Sequence, residues 1–279
     1  MLGACLVKAL YALPTWTRVA DLIAEHPGLS DALGATPSHW ACYRFARKLR
    51  AERQILASCL DALATSLREQ YPDMGREVAI DASDIPAYGN GQRFIYNGGP
   101  ERQVYSDPDA SWGHRSAVST RKGGGFYGYR IHAAVCTVTG LPLAWKVETA
   151  RSHESSYVAP LLDAVRARGF APTTVALDMG YDNARVYREC AERDVIAVIP
   201  LRRNSGVRES RIPRKSDEWK RLYRGRSAVE REFGRLKHHY GLAMLRVRGI
   251  ERVRLHADLV ILGRLASELS RARTLAATA

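Results

Sequence analysis

The stretch TTVALDMGYDNARVYRECAERDVIAVIP, Thr173–Pro200, decides how the chain folds. TTVALD is a β-branched, apolar run that reads as a strand. Asp182 stands where a helix N-cap belongs, and DNARVYRECAERD reads as the helix it opens. VIAVIP is a second apolar run of strand length. Strand, helix, strand within about thirty residues is a crossover unit, and such units favour parallel pairing of their strands. This part of the chain is therefore expected to build an α/β sheet.

Working outward, SSYVAPLLDAVRARG (155–169) is an amphipathic helix closed by Gly169. Before it, FYGYRIHAAVCTV and LPLAWKVETA read as two strands joined across Thr139-Gly140 as a hairpin. EVAID (77–81) is an earlier strand, followed by a long polar loop that includes SDPDASWGHR. After Pro200 come a basic loop, a helix, and a final helix around Arg252–Arg273, with TLAATA as a frayed tail. The expectation is a mixed sheet flanked by helices, antiparallel at its start and parallel later. Residues 1–75 differ in texture: helical spacing runs through Trp16–Ala24, Ser38–Arg50 and Ala51–Tyr71, punctuated by Pro14, Pro27 and Pro37. YPDMG marks a boundary, giving a helical region, 1–75, and an α/β domain, 76–279.

At 279 residues and 46% hydrophobic, the chain is long enough for a large core. Its net charge of +13 points to a polyanionic partner, nucleic acid first. The charge is concentrated: from Arg202 through Arg203 to Arg226 there are ten basic residues against three acids, Glu209, Asp217 and Glu218. RFARKLRAER is a second basic face, on which Arg44 and Lys48 lie. Both are read as phosphate-contacting surfaces. Five scattered cysteines without a CxxC pair argue against a disulfide framework or zinc module, and for a reducing compartment. No apolar run reaches membrane-span length, and the N-terminus lacks a basic signal-peptide region, so the expected location is cytoplasmic.

Two strands end alike, VAID at Asp81 and VALD at Asp178. Open α/β sheets place their ligands where strands run out. Each aspartate singly is explained as a turn or cap residue, as are Asp84 and Asp182 nearby. The segment YRGRSAVEREFGRLK (223–237) adds a third acid, Glu230, on a helical stripe with Tyr223, Arg226 and Lys237. Val229, Phe233, Leu236 and Tyr240 form a neighbouring apolar face that seats this helix. If the helix packs across the sheet, three carboxylates converge, and folding opposes that without cations. An all-oxygen acidic site suits Mg²⁺ or Mn²⁺, and in a basic protein it points to two-metal phosphoryl transfer. Arg226 and Lys237 would meet phosphate oxygens, and Tyr223 would brace the site or a phosphate.

The spacing Tyr223-x2-Arg226-x3-Glu230-x6-Lys237 resembles the YREK signature of bacterial insertion-sequence DDE transposases, which have an RNase H-like catalytic fold. VAIDASDI resembles that family's first-aspartate segment, FYGYRIHAAV and GLPLAWKVETARSHESS the strands and loop after it, ALDMGYDN the second-aspartate segment, and VIPLRRN the strand that follows. The likeness runs from Val78 to Ala266 in family order. It implies catalytic metal binding by Asp81, Asp178 and Glu230, and cleavage at element ends followed by strand transfer into target DNA. It also implies assembly of two or more protomers on paired ends, and a helical N-terminal region that contacts those ends. HPGLSDALGATPSHWACYRFARKL looks like part of that region, and its closeness to Met1 leaves open that DNA-binding sequence upstream is missing. Ala82-Ser83 departs mildly from relatives that carry Thr after the small residue. Two alternatives stay open: an inactive DNA-binding remnant, and a nuclease of the same fold that never joins strands.

GGGFYGY is no phosphate-cradling loop, since it precedes a strand and lacks GK[ST]. The eight histidines show no metal spacing, and no nucleophile-elbow pattern is present.

Overall fold

The computed structural model describes residues 1–89, 106–115, 122–203, 208 and 210–278. Much of the polar loop, and positions 204–207 and 209 of the basic run, lie outside the described residues.

The sheet is organised around β3 (Gly124–Cys136), whose run from Phe126 to Cys136 is buried apart from Arg130. A strand covered on both faces reads as a nearly continuous apolar run, and this one does. One edge of β3 pairs antiparallel with β1 (Glu77–Pro86), with Asp81 opposite Ala133. β2 (Ser111–Arg115) and β4 (Pro142–Thr149) pair antiparallel with successive stretches of β3. β1 pairs in parallel with β5 (Thr174–Ala176), and β5 in parallel with β6 (Ile196–Val198). The result is a six-stranded mixed sheet of order β2-β3-β1-β5-β6, with β4 joined to β3.

The N-terminal segment folds into α1 (Leu2–Leu10), α2 (Trp16–Glu25), α3 (Pro27–Leu33), α4 (His39–Ala51) and α5 (Arg53–Gln70). Thr15 and Ser38 cap α2 and α4 through backbone N–H groups three residues on. α6 (Val158–Ala167) and α7 (Ala184–Ala191) are the crossover helices. α8 (Asp217–Arg224) and α9 (Ser227–His238) follow, and α10 (Ile250–Thr278) closes the described chain. α9 packs on β1 and β3 through Ala228, Val229, Phe233 and Leu236. α10 packs on α1, α4, α5 and β4, so one hydrophobic core runs from the N-terminal helices into the sheet.

The mixed α/β architecture, the hairpin and both parallel crossovers agree with the sequence reading. Several local expectations need correction. β1 does not stop at Asp81 but runs to Pro86, because β3 offers partners as far as Gly128. There the strands approach so closely that a Cβ on Gly128 would lie 2.3 Å from the Ile85 carbonyl oxygen. SDPDASWGHR is not all loop: Ser111–Arg115 is strand β2, and buried Asp107 accepts from the Tyr129 hydroxyl at 2.7 Å and the Gly249 N–H at 3.1 Å. Asn183, not Asp182, caps α7. The segment 223–237 is two helices with a break at Gly225 and Arg226. A Cβ on Gly225 would lie 3.0 Å from the Leu222 carbonyl oxygen and 3.1 Å from Thr137, so the break closes tightly against the end of β3. TLAATA does not fray at once, since α10 continues to Thr278.

Candidate active site

Asp81 lies midway along β1, two residues past the end of the β5 pairing, with its side chain 19% exposed. Its Oδ1 accepts from the Ala82 N–H at 2.8 Å. Burial raises its pKa from 3.8 to about 7, with the Ala82 N–H opposing and the charges of Asp178 and Glu154 adding to the rise. Asp178 stands two residues past β5 and caps the single 3-10 turn Met179–Tyr181, accepting from the Gly180 N–H at 2.6 Å. A Cβ on residue 180 would sit 2.7 Å from that carboxylate oxygen, so glycine is what the turn admits. The capping explanation for Asp178 and its nearness to Asp81 therefore hold together.

Glu230 reaches this place from α9. Its carboxylate binds Arg226 at 2.6 Å, and the other end of that guanidinium fork lies 3.8 Å from Asp81. Burial opposes the charge of Arg226, but Glu230, Tyr223 and Asp81 outweigh it and hold its pKa above the ordinary value. Residues from β1 and α9, some 150 positions apart in sequence by their numbering, thus meet across one arginine.

Two further groups escaped sequence reasoning. Glu154 opens the 3-10 turn Glu154–Tyr157 before α6 and is ion-paired to Arg130 of β3 at 3.0 Å. Burial raises its pKa; Arg130 opposes this and Asp178 adds to it, so it belongs to the same acidic cluster. Tyr181 is 1% exposed, and its hydroxyl has no hydrogen-bond partner among the described residues. Burial, then the charges of Asp81, Glu154 and Asp178, push its pKa well up. Glu154 and Tyr181 line a cavity of about 620 Å³ that also takes in Gly180 of the Asp178 turn, Arg130, Arg151 and Arg202. An acid next to a polar turn, ahead of a helix, was the only sequence signal for Glu154.

The remaining expected contacts are distributed differently. Lys237 is half-buried and paired with Asp84 at 3.3 Å, which Arg115 also binds at 3.1 Å. Asp84 is therefore a strand residue engaged by two cations, not a cap. Tyr223 stacks on Trp219, ring centroids 5.0 Å apart and 17° between planes. The Arg202 guanidinium donates to the Met179 and Gly180 carbonyls at 2.9 and 2.6 Å, and its backbone N–H to Asp182 at 2.8 Å. It braces the turn that carries Asp178. Arg203 is exposed just beyond it. Arg44 and Lys48 are exposed on α4, and Lys48 is paired with Glu52 at 3.9 Å.

The donor set is all oxygen and anionic, which suits a hard divalent cation. The raised Asp81 and the unpartnered Tyr181 hydroxyl both mark a place where a cation and its water would relieve a cost. As the side chains stand, no group of three or more His, Cys, Asp or Glu among the described residues is gathered closely enough to hold a metal ion. Glu230 is instead drawn onto Arg226 and is 53% exposed. Asp81 and Asp178 are the acids that would hold such a cation, and Glu230 would join them only on leaving the arginine.

A family model described as a transposase DDE domain matches residues 72–265, well over half of the chain. No curated protein matches. No helix among the described residues is long and apolar enough to cross a membrane.

Proposed function

The chain belongs to the transposase DDE-domain family and so has DNA as its substrate, and from that premise we propose that it cuts at insertion-element ends and joins the freed ends to target DNA. The observation that carries this reading is the meeting of Asp81 and Glu230 on Arg226, with Asp178 close enough to raise the Asp81 pKa. Asp81, Asp178 and Glu230 would hold the divalent cations, Mg²⁺ or Mn²⁺ and two in number. When bound, such ions activate water or a 3′-hydroxyl as nucleophile and stabilise the departing oxygen.

The chain's own residues prepare for this. Asp81, raised to about 7, gives up its proton near neutral pH, which makes it an anionic ligand when one is required. Arg226 holds Glu230 aside and, when released, becomes a charge-assisted donor for a non-bridging phosphate oxygen. Arg202 fixes the Asp178 turn through two carbonyls, and Gly180 lets the turn close. Lys237 and Arg115 hold Asp84 on the continuation of β1, keeping α9 registered against the strand that carries Asp81. Tyr223 braces the Arg226 guanidinium, which stands over its ring at 6.0 Å. Arg44, Lys48, Arg203 and the helical region 1–75 would contact DNA outside the cut, with two or more protomers on paired ends.

The test incubates the purified chain with Mg²⁺ and labelled duplexes carrying the sequences that flank its coding region. The expected outcome is metal-dependent cutting and joined products, both reduced more than about a hundred-fold in Glu230→Gln, a loss larger than that of an outer-shell partner. Cut products without joined ones would support the nuclease reading. Binding without cutting by the unaltered chain would support an inactive remnant, and undiminished cutting by Glu230→Gln would place the active site elsewhere.

A further inference from the structure

A groove of about 690 Å³ is lined by α4 and the segment leading into α10, and none of Asp81, Asp178, Glu154 and Glu230 is among its lining residues. Arg44, Arg47 and Arg50 enter it from α4, and Arg246, Arg248 and Arg252 from the opposite wall. Among the described residues no Asp or Glu lines it. The arginines crowd one another: burial, then the charges of Arg252 and Arg47, hold the Arg50 pKa below its ordinary value. A groove that concentrates unneutralised positive charge is complementary to a polyanion.

Charge alone would suit any phosphate chain, but the groove also carries aromatic rings. Trp40 is 65% exposed and Tyr43 44%, and their ring centroids are 6.4 Å apart. Trp40, Tyr43, Arg44, Arg47 and Arg50 follow helical spacing, so rings and guanidinium groups share one face of α4. Of the buried residues of α4, Cys42 and Leu49 lie on the other side, and Ala46 is at the floor of the groove. The rings are therefore not part of the core that seats the helix. Across the groove, Arg246 and Arg248 stand over the Tyr88 ring at 5.2 and 5.4 Å, and Arg248 donates to the Tyr88 carbonyl at 3.0 Å. Tyr88 thus holds two cations in the same groove that the exposed rings line.

Paired bases in a duplex are stacked on one another and offer little ring face to a protein, whereas an unpaired base stacks readily on an exposed aromatic side chain. From this juxtaposition, and resting on the reading that the chain acts on DNA, we propose that the groove binds a single-stranded DNA segment. Arg44, Arg47, Arg246 and Arg248 take its phosphates, and Trp40 and Tyr43 stack its bases. The groove is within reach of the cut. Tyr88 follows Pro86, the last residue of the strand that carries Asp81, and at about 3.3 Å per residue the two ends lie at most roughly 23 Å apart. One strand of about seven nucleotides, at ~3.4 Å per step, spans that distance.

Anisotropy titrations in EDTA compare a labelled oligothymidylate of about twelve nucleotides with a blunt duplex of equal length, alongside Trp40 fluorescence quenching. The chain is expected to prefer the single strand. Trp40→Ala should weaken single-strand binding about ten-fold and leave duplex binding unchanged. The paired change Arg246→Gln and Arg248→Gln should weaken single-strand binding and reduce its salt slope by about 1.4, the value for two phosphate contacts. Because Trp40 is exposed, circular dichroism and melting of its variant should match the unaltered chain. Glu230→Gln should bind the oligonucleotide normally, so failure of the cleavage reading would leave this result standing, and the reverse. Single-strand affinity unmoved by Trp40→Ala, or a preference for duplex, would overturn the proposal.

Discussion

Asp81 is the residue on which the site turns. Its folded pKa, about 7, lies above the unfolded value of 3.8, so the folded state binds this proton more tightly. The sign follows: the contribution to stability is fully present below about pH 4 and is lost as pH rises through about 7. In cation-free buffer, urea midpoints should therefore fall over that window, and the fall should be smaller in Asp81→Asn. Equal slopes in the two proteins would show that Asp81 is not the strained acid. Asp81 and Asp178 were legible in the sequence because each follows an apolar strand pattern. Glu154 was not, since nothing in ETARSHESS shows that the Glu154–Tyr157 turn folds back beside the aspartates. Arg226 was read as a phosphate contact, yet in this structure its partners are Glu230 and Asp81. A lone sequence cannot show which of two acids an arginine holds before substrate arrives.

At the scale of elements, pairing overrides local composition. ASDIP is polar and carries a proline, and its strand character comes from the β3 edge it pairs with. SWGHR is a strand for the same reason. Helices with clean 3.6-residue patterns, such as α2 and α6, were legible, whereas α1 and α3 were not singled out. The apolar face of α9 was also legible, but its buried ion pair was not. Glu232 is 0% exposed and Arg264 5%; they bond at 3.0 Å, joining α9 to α10. Arg264 also binds Glu268 at 3.0 Å, which accepts from the Tyr71 hydroxyl at 3.1 Å next to the end of α5. Removing one member of a buried pair strands the other, so Glu232→Ala should destabilise by about 3 kcal/mol in urea unfolding. A loss under roughly 1 kcal/mol would mean that Glu268 alone satisfies the arginine.

For the whole molecule, the mixed sheet with flanking helices followed from the order of strand and helix signals, and the helical character of the first 75 residues from theirs. How the two parts join did not follow. α10 binds both the N-terminal helices and β4, and the partners of a helix with apolar residues all round cannot be read from its own sequence. That joining places the α4 groove and the β1 carboxylate on one body. The nearness of Asp81 to Asp178, and the link from Asp81 through Arg226 to Glu230, are likewise properties of the whole fold, since β1, the β5 turn and α9 are distant in sequence. The most direct measurement is an anomalous difference map from crystals grown with Mn²⁺. The account predicts a peak bounded by Asp81 and Asp178, with Glu230 turned away from Arg226 towards the ion. A map with no peak at the aspartates, or one in which Mn²⁺ is held by other residues, would contradict it.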